Sequence, residues 1–286
     1  MKLLLKIVLG LLLFVALERF CHTQTRGFSL LKIASDSALA DEEPSLEQKA
    51  ELDAIFNQSF FFLNSGGQCY AFLSEDGKTI IKFFKQHHIR IWNRLSNIPL
   101  PQLFKPYLNQ LLDKKKHQSP QFFESCRIAY EDFKERSGLI YLHIHKTQCF
   151  KKKLQIIDTL GIAHHIDLDS TDFALQKRVE LCHSKFKTLI QKNDIPAARQ
   201  CIDSIRDLIV ERSQKGIVDR DFNMRTNIGF LGNQAIEIDL GSFTKEEKGK
   251  NPDREDLRKR TQKFHKWLSK HNQTLSQYLA EQIEHF

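Results

Sequence analysis

The sequence predicts an α+β fold with a strand-rich front and a helical back. Three observations carry this. Short apolar runs alternate with tight-turn signals between residues 60 and 84, apolar residues recur at three- and four-residue steps after residue 172, and a second hairpin pattern lies between residues 227 and 238. Of the 286 residues, 41% are hydrophobic and 27% charged, so the chain can bury a core and is not disordered throughout. Twelve Gly and seven Pro without a triplet period exclude a collagen-like stalk, and no repeat stands at solenoid spacing.

Taken in order, residues 1–20 read as a hydrophobic signal or anchor segment. Lys2 and Lys6 accompany an apolar run that is continuous from Ile7 to Leu17. As a helix, residues 3–17 would span about 22 Å, short against a hydrocarbon core of roughly 30 Å. Glu18-Arg19-Phe20 stands where a cleavage site would be, so an uncleaved membrane anchor through residues 3–17 is favoured over a removed signal that would export the chain. Residues 21–47 are polar, end in Asp-Glu-Glu-Pro, and read as a linker.

Residues 48–160 read as a sheet with one helix. Strands are expected at 60–63, 68–73 and 79–84, joined by Asn64-Ser65-Gly66-Gly67 and Glu75-Asp76-Gly77, which makes a three-stranded antiparallel meander. Ser119-Pro120 is a helix start, Gly138 ends that helix, and strands follow at 139–144 and 154–157. Residues 161–286 read as the helical part. Leu175, Val179, Cys182, Phe186 and Leu189 share one helical face, and Asp194 with Pro196 opens a second helix carrying Ile202, Ile205 and Ile209. A polar loop at 216–225 precedes a hairpin turning at Gly232-Asn233, and the last forty or so residues are charged and helical.

The net charge of +8 is concentrated in residues 79–123, which hold eight Lys or Arg and one Asp. No nucleic-acid motif accompanies that stretch, so no nucleic-acid partner is expected. Lys114-Lys115-Lys116 and Lys151-Lys152-Lys153 read as solvated faces. The six cysteines show no zinc or redox spacing and read as small buried hydrophobes. His143-x-His145 would share a strand face, but no Cys, Asp or Glu set at metal spacing joins them or His164 and His165.

Three stations carry chemistry. Gly66 and Gly67, between strands, let backbone amides approach a phosphate, and Lys82 on the third strand places a positive charge near phosphate oxygens. Asp219-Arg220-Asp221 stands in a polar loop with Asn227 six residues after Asp221. A loop carboxylate can accept a hydroxyl proton, and an amide oxygen can help hold Mg²⁺. Asp239-Leu240-Gly241 then ends an apolar strand and presents a third carboxylate.

In this order the stations resemble the protein-kinase-like phosphotransferase superfamily, over roughly residues 58–243. Lys82 falls where the strand lysine would be, Asp221 and Asn227 resemble the catalytic-loop Asp and Asn, and Asp239-Leu240-Gly241 resembles D-F-G, eighteen residues after Asp221. The resemblance implies a two-lobed fold with an N-terminal antiparallel sheet and a reduced helical C-lobe. It implies an ATP- and Mg²⁺-dependent transfer to a hydroxyl, with Gly66, Gly67 and Lys82 on the nucleotide. Glu124, on the helix from Pro120, would pair with Lys82, with Glu131 as the alternative. Asn227 and Asp239 would hold the metal, and Asp221 or Asp219 would be the catalytic acid.

The departures shape the expectation. Only Gly66 falls on a family glycine, Asp219 replaces the His of His-Arg-Asp, the interval from Asp221 to Asn227 is one residue longer than in the motif, and 45 residues follow Gly241 without an A-P-E. The missing parts form the peptide platform of protein kinases, so the expected acceptor is a sugar, glycolipid or other non-protein hydroxyl. The alternative is a catalytically inactive pseudokinase or a membrane-anchored interaction protein.

Overall fold

The computed structural model describes residues 2–35, 38, 43–86, 120–246 and 254–284. The chain is α+β, with an antiparallel-rich sheet followed by a helical C-terminal part. It divides into two compact units, residues 1–112 with 143–175 and residues 113–142 with 176–286. Lys114-Lys115-Lys116, Ser119 and much of the basic stretch 79–123 lie outside the described residues.

In the first unit, helices α1 (Lys2–Gln24), α2 (Leu30–Ile33) and α3 (Leu46–Ile55) precede the expected meander of β1 (Phe60–Ser65), β2 (Cys69–Ser74) and β3 (Thr79–Phe84). The pairs are antiparallel, with Phe61 opposite Leu73 and Ala71 opposite Lys82, and the register shifts between Phe62 and Asn64. After β4 (Leu139–His143), β5 (Lys153–Ile157) adds parallel to β1, and β6 (Ala163–Asp167) pairs antiparallel with β5. With β7 (Phe173–Lys177) the sheet has seven strands in the order β4-β7-β3-β2-β1-β5-β6. Alternation puts Tyr70, Phe72, Ile81 and Phe83 into the core. Phe28 and Ile33, from the stretch read as a linker, are buried there too, and the Phe28 ring meets Tyr70 and Phe72 edge-on at 5.3 and 5.4 Å.

Three expectations change in this unit. Residues 3–17 are helical, but no helix among the described residues is long and apolar enough to cross a membrane. Lys6 interrupts the run and Glu18-Arg19 closes it, so the anchor through residues 3–17 finds no support. His143 and His145 do not share a strand face, because β4 ends at His143. The His143 ring is buried, its Nδ1 lies 2.9 Å from the Thr171 oxygen, and it stacks on Phe173. Residues 173–177 form a strand where helical spacing was expected; residues 173–176 are all buried, and a short apolar run of this kind is ambiguous by periodicity alone.

The second unit begins with the expected helix at 120–131, here α4, followed by the short α5 (Lys134–Ser137) and Gly138 at φ 64°. The two-residue strand β8 (Glu180–Leu181) leads into α6 (Cys182–Gln191) and α7 (Ile195–Gln214). Asp194 caps α7 through the Ala197 amide at 3.1 Å, with Pro196 in its first turn. Then come β9 (Ile217–Asp219), the hairpin β10 (Ile228–Leu231) and β11 (Gln234–Glu237), β12 (Phe243–Lys245), α8 (Arg254–His271) and α9 (Gln273–Glu284). β8, β10 and β11 form one small sheet, and β9 pairs with β12. A Cβ on Gly229 would stand 2.3 Å from the Val179 side chain, so only glycine lets β10 approach β8 this closely.

Candidate functional site

The second unit gathers three of the expected residues at the hairpin's base. Each strand of the hairpin is extended by one main-chain bond, from the Ile238 amide to the Asn227 oxygen at 2.7 Å, which sets Asp239 beside Asn227. The Asn227 Nδ2 donates to the Asp221 main-chain oxygen at 3.0 Å and to Asp239 Oδ2 at 3.3 Å. Its Oδ1 accepts from the Thr226 hydroxyl at 2.7 Å. Asp239 Oδ1 accepts the Gly241 amide at 3.1 Å, a short side-chain-to-backbone turn that sets this carboxylate's direction. The Asp221 side chain is exposed, Asp239 is half-buried and Asn227 is buried.

Asp219 is in a different situation from Asp221. It is 3% exposed and sits opposite Phe243 in the β9–β12 pair. Its Oδ1 accepts the Asp221 amide at 2.9 Å and the Ser242 hydroxyl, so it ties the loop to the segment after Asp239-Leu240-Gly241. The Arg220 amide donates to the Ser242 oxygen at 3.2 Å and strengthens that tie.

Behind the loop lies a buried charge cluster that sequence reasoning missed. Arg212 of α7 bonds Glu237 of β11, and its Nη1 stands 3.9 Å from Asp219 Oδ2. All three are nearly inaccessible, at 2%, 0% and 3% exposure. Burial first, then the neighbouring Asp219, pushes the Glu237 carboxyl up to about 8, against the opposing pull of Arg212. Glu237 Oε2 and Asp219 Oδ2 both lack a donor when the two groups are ionised. A proton kept on Glu237 supplies one and leaves a triad with no net charge, which suits its burial. Two signals were present in the sequence: Arg212 continues the apolar spacing of Ile205, Leu208 and Ile209, and Glu237 stands between Ile236 and Ile238.

Ser125 of α4 was missed as well. Its hydroxyl donates to the Leu240 oxygen at 2.5 Å and accepts the Phe243 amide at 2.6 Å, which fastens the helix to the Asp239-Leu240-Gly241 turn. Glu124, next to it, is exposed, with a carboxylate oxygen 3.8 Å from Arg127.

Gly66, Gly67 and Lys82 belong to the first unit. The Gly66 amide closes the β1–β2 loop onto the Cys69 oxygen at 3.0 Å. Neither glycine adopts positive φ; a Cβ on Gly66 would meet the Cys69 oxygen at 3.7 Å, and one on Gly67 would meet nothing within 4 Å, so it is Gly67 that keeps open space over the backbone. Lys82 is half-buried in β3. Lys85, which sequence reasoning passed over, reaches Ser65 Oγ at 3.1 Å and the Gly66 oxygen at 2.5 Å, with its ammonium 4.2 Å from the Tyr70 ring centre. Burial holds the Lys85 ammonium below the usual lysine range.

No family model matches the chain, and no curated protein matches it. Among solved structures, the streptomycin–ATP–APH(2")-IIa ternary complex is similar to it at 13% sequence identity, over 76% of this chain and 75% of that one, with a TM-score of 0.27.

Proposed function

We propose that this chain is an ATP-dependent phosphotransferase of the protein-kinase-like kind, acting on a hydroxyl of a non-protein substrate. The observation that carries the reading is the Asn227 amide, which joins the main chain of Asp221 to the carboxylate of Asp239. Three polar residues from separate segments of a loop and hairpin are thereby brought together, and phosphoryl transfer depends on such placement of polar groups.

In this reading Asp221 accepts the proton of the attacking hydroxyl as its oxygen bonds to the γ-phosphorus and ADP leaves. The exposure of Asp221 supports that role, while the engagement of Asp219 Oδ1 by two donors makes Asp219 a positioning residue. Asp239 and Asn227 offer hard oxygen donors side by side, a set that suits Mg²⁺, which keeps several waters and takes few protein ligands. The Asn227 amide, as placed, turns its nitrogen to Asp239, so its oxygen would serve after a flip about the side-chain bond. When bound, Mg²⁺ would neutralise charge on the nucleotide phosphates. Lys82 would hold those phosphates, Glu124 would orient Lys82, and the backbone at Gly66 and Gly67 would cover them.

The Gly66 amide, already spent on Cys69, favours a second reading, a nucleotide-binding fold without turnover. Purified full-length chain with ATP and Mg²⁺, assayed for ADP release across a panel of sugars and small polyols, separates the two. Thermal stabilisation by ATP-Mg²⁺ with acceptor-dependent ADP release supports phosphotransfer. Stabilisation without release supports the inactive reading, and neither effect removes both.

A further inference from the structure

We infer that the second unit contains a binding site for a small phosphate-bearing molecule, in a cavity of about 770 Å³ between the loop after β9 and helix α8. The inference stands on this cavity alone and does not require turnover. Every residue from Asp219 to Arg225 lines it except Asp221, and α8 contributes Lys259, Arg260, Lys263 and Trp267. Its volume falls in the range of sites for small molecules.

Five cationic side chains face this space, Arg220, Arg225, Lys259, Arg260 and Lys263, against one carboxylate, Asp219. That carboxylate is already compensated, since its Oδ1 takes two donors and its Oδ2 lies 3.9 Å from Arg212. Among the described residues, Arg220, Arg225, Lys259 and Lys263 form no ion pair. Lys259 and Lys263 stand one helical turn apart, which sets two like charges side by side on α8. Burial, then Arg225, holds the His183 ring at the cavity wall below its usual range.

The geometry also selects the kind of anion. Arg260 is anchored, with Nη1 3.3 Å from the Asp219 oxygen and its guanidinium 5.6 Å from the Phe222 ring centre. Trp267 stacks with Phe264 and with His271. The anchored Arg260 guanidinium matches the oxygens of a phosphate, and Phe222 and Trp267 line the same cavity beside it. A cavity of this volume suits a small molecule, whereas a nucleic acid would need an extended basic groove.

The test is calorimetric titration of the full chain at fixed ionic strength with pyrophosphate, inorganic phosphate, a hexose phosphate and the neutral hexose. The site predicts that the phosphates bind and the hexose does not. Tighter binding of the hexose phosphate than of inorganic phosphate marks an ester ligand, and equal binding marks free phosphate; either supports the site. The double variant Arg225→Gln/Lys263→Gln should weaken pyrophosphate at least about tenfold, with an unchanged melting temperature and unchanged ATP-Mg²⁺ stabilisation. Absence of phosphate binding, or binding indifferent to the double variant, overturns the site. Pyrophosphate binding lost in Asp239→Asn instead would move the anion to the proposed nucleotide position, and would also overturn it. The proposed phosphotransfer is judged separately, by ATP-Mg²⁺ stabilisation and ADP release.

Discussion

The Nδ2 of Asn227 lies 3.3 Å from Oδ2 of Asp239, and the same nitrogen holds the main chain of Asp221 at 3.0 Å. Twelve residues and a hairpin separate Asn227 from Asp239, so the contact depends on the β10–β11 register, in which Ile228 faces Glu237. A one-residue slip of that register would turn Asp239 to the opposite face and dissolve the constellation.

Asp239→Asn keeps the shape of the side chain and removes its charge. The expected outcome is an unchanged fold, by circular dichroism and melting temperature without ligand, and loss of stabilisation by ATP-Mg²⁺. For a nucleotide at a hundred times its dissociation constant, that stabilisation is about 2.7 kcal/mol in the parent chain. Equal stabilisation of variant and parent would take Asp239 out of the metal role.

Arg212→Ala strands two buried acids. It should cost about 3–5 kcal/mol in urea denaturation, the penalty for breaking a buried pair by deleting one partner. Arg212→Lys should recover only part of this, because an ammonium cannot reproduce the guanidinium geometry shared by Glu237 and Asp219. A loss below about 1 kcal/mol for Arg212→Ala would show that the triad is not a support of the loop.

Glu237 sets a pH dependence whose sign follows from its raised carboxyl. Unfolded, it titrates in the ordinary carboxylate range; folded, it holds its proton up to about 8. Between those values the folded state binds more protons than the unfolded one, so this group's contribution to stability declines as pH rises through that window. Denaturation midpoints at pH 5.5 and at pH 8.5 should differ more in the parent than in Glu237→Gln, in each case after the same buffer correction. A Gln variant with the parent's pH slope would remove Glu237 as its source.

Gly67→Ala isolates ligand approach from folding. The added methyl meets nothing within 4 Å and the backbone is outside the left-handed region, so stability should stay within about 0.5 kcal/mol. If the loop covers nucleotide phosphates, ATP-Mg²⁺ stabilisation falls while the ligand-free melting temperature holds. Unchanged nucleotide binding would place the phosphates elsewhere.

The legible parts of the chain were those written in local chemistry. The turn residues at Asn64–Gly67, Glu75–Gly77 and Gly232-Asn233 gave the meander and the later hairpin, because Gly, Asn and Asp favour tight turns whatever surrounds them. Asp194 and Pro196 marked the start of α7 for the same reason. The illegible parts depended on partners distant in the chain. Residues 173–177 carry a spacing that fits a helix, yet they lie in the sheet. Ser125 looks like any helix-surface serine until Leu240 and Phe243 arrive on either side of its hydroxyl.

By itself, then, the sequence determined the α+β class, most turns and the spacing of Asp221, Asn227 and Asp239, since short-range sterics and side-chain chemistry act within a few residues. The tertiary structure alone decided that Asp219 is a buried tie while Asp221 stays exposed, that Arg212 meets Glu237, and that cations from the loop and from α8 face one cavity. Those outcomes are set by burial and by charges brought close in space, and neither quantity exists until the chain has folded.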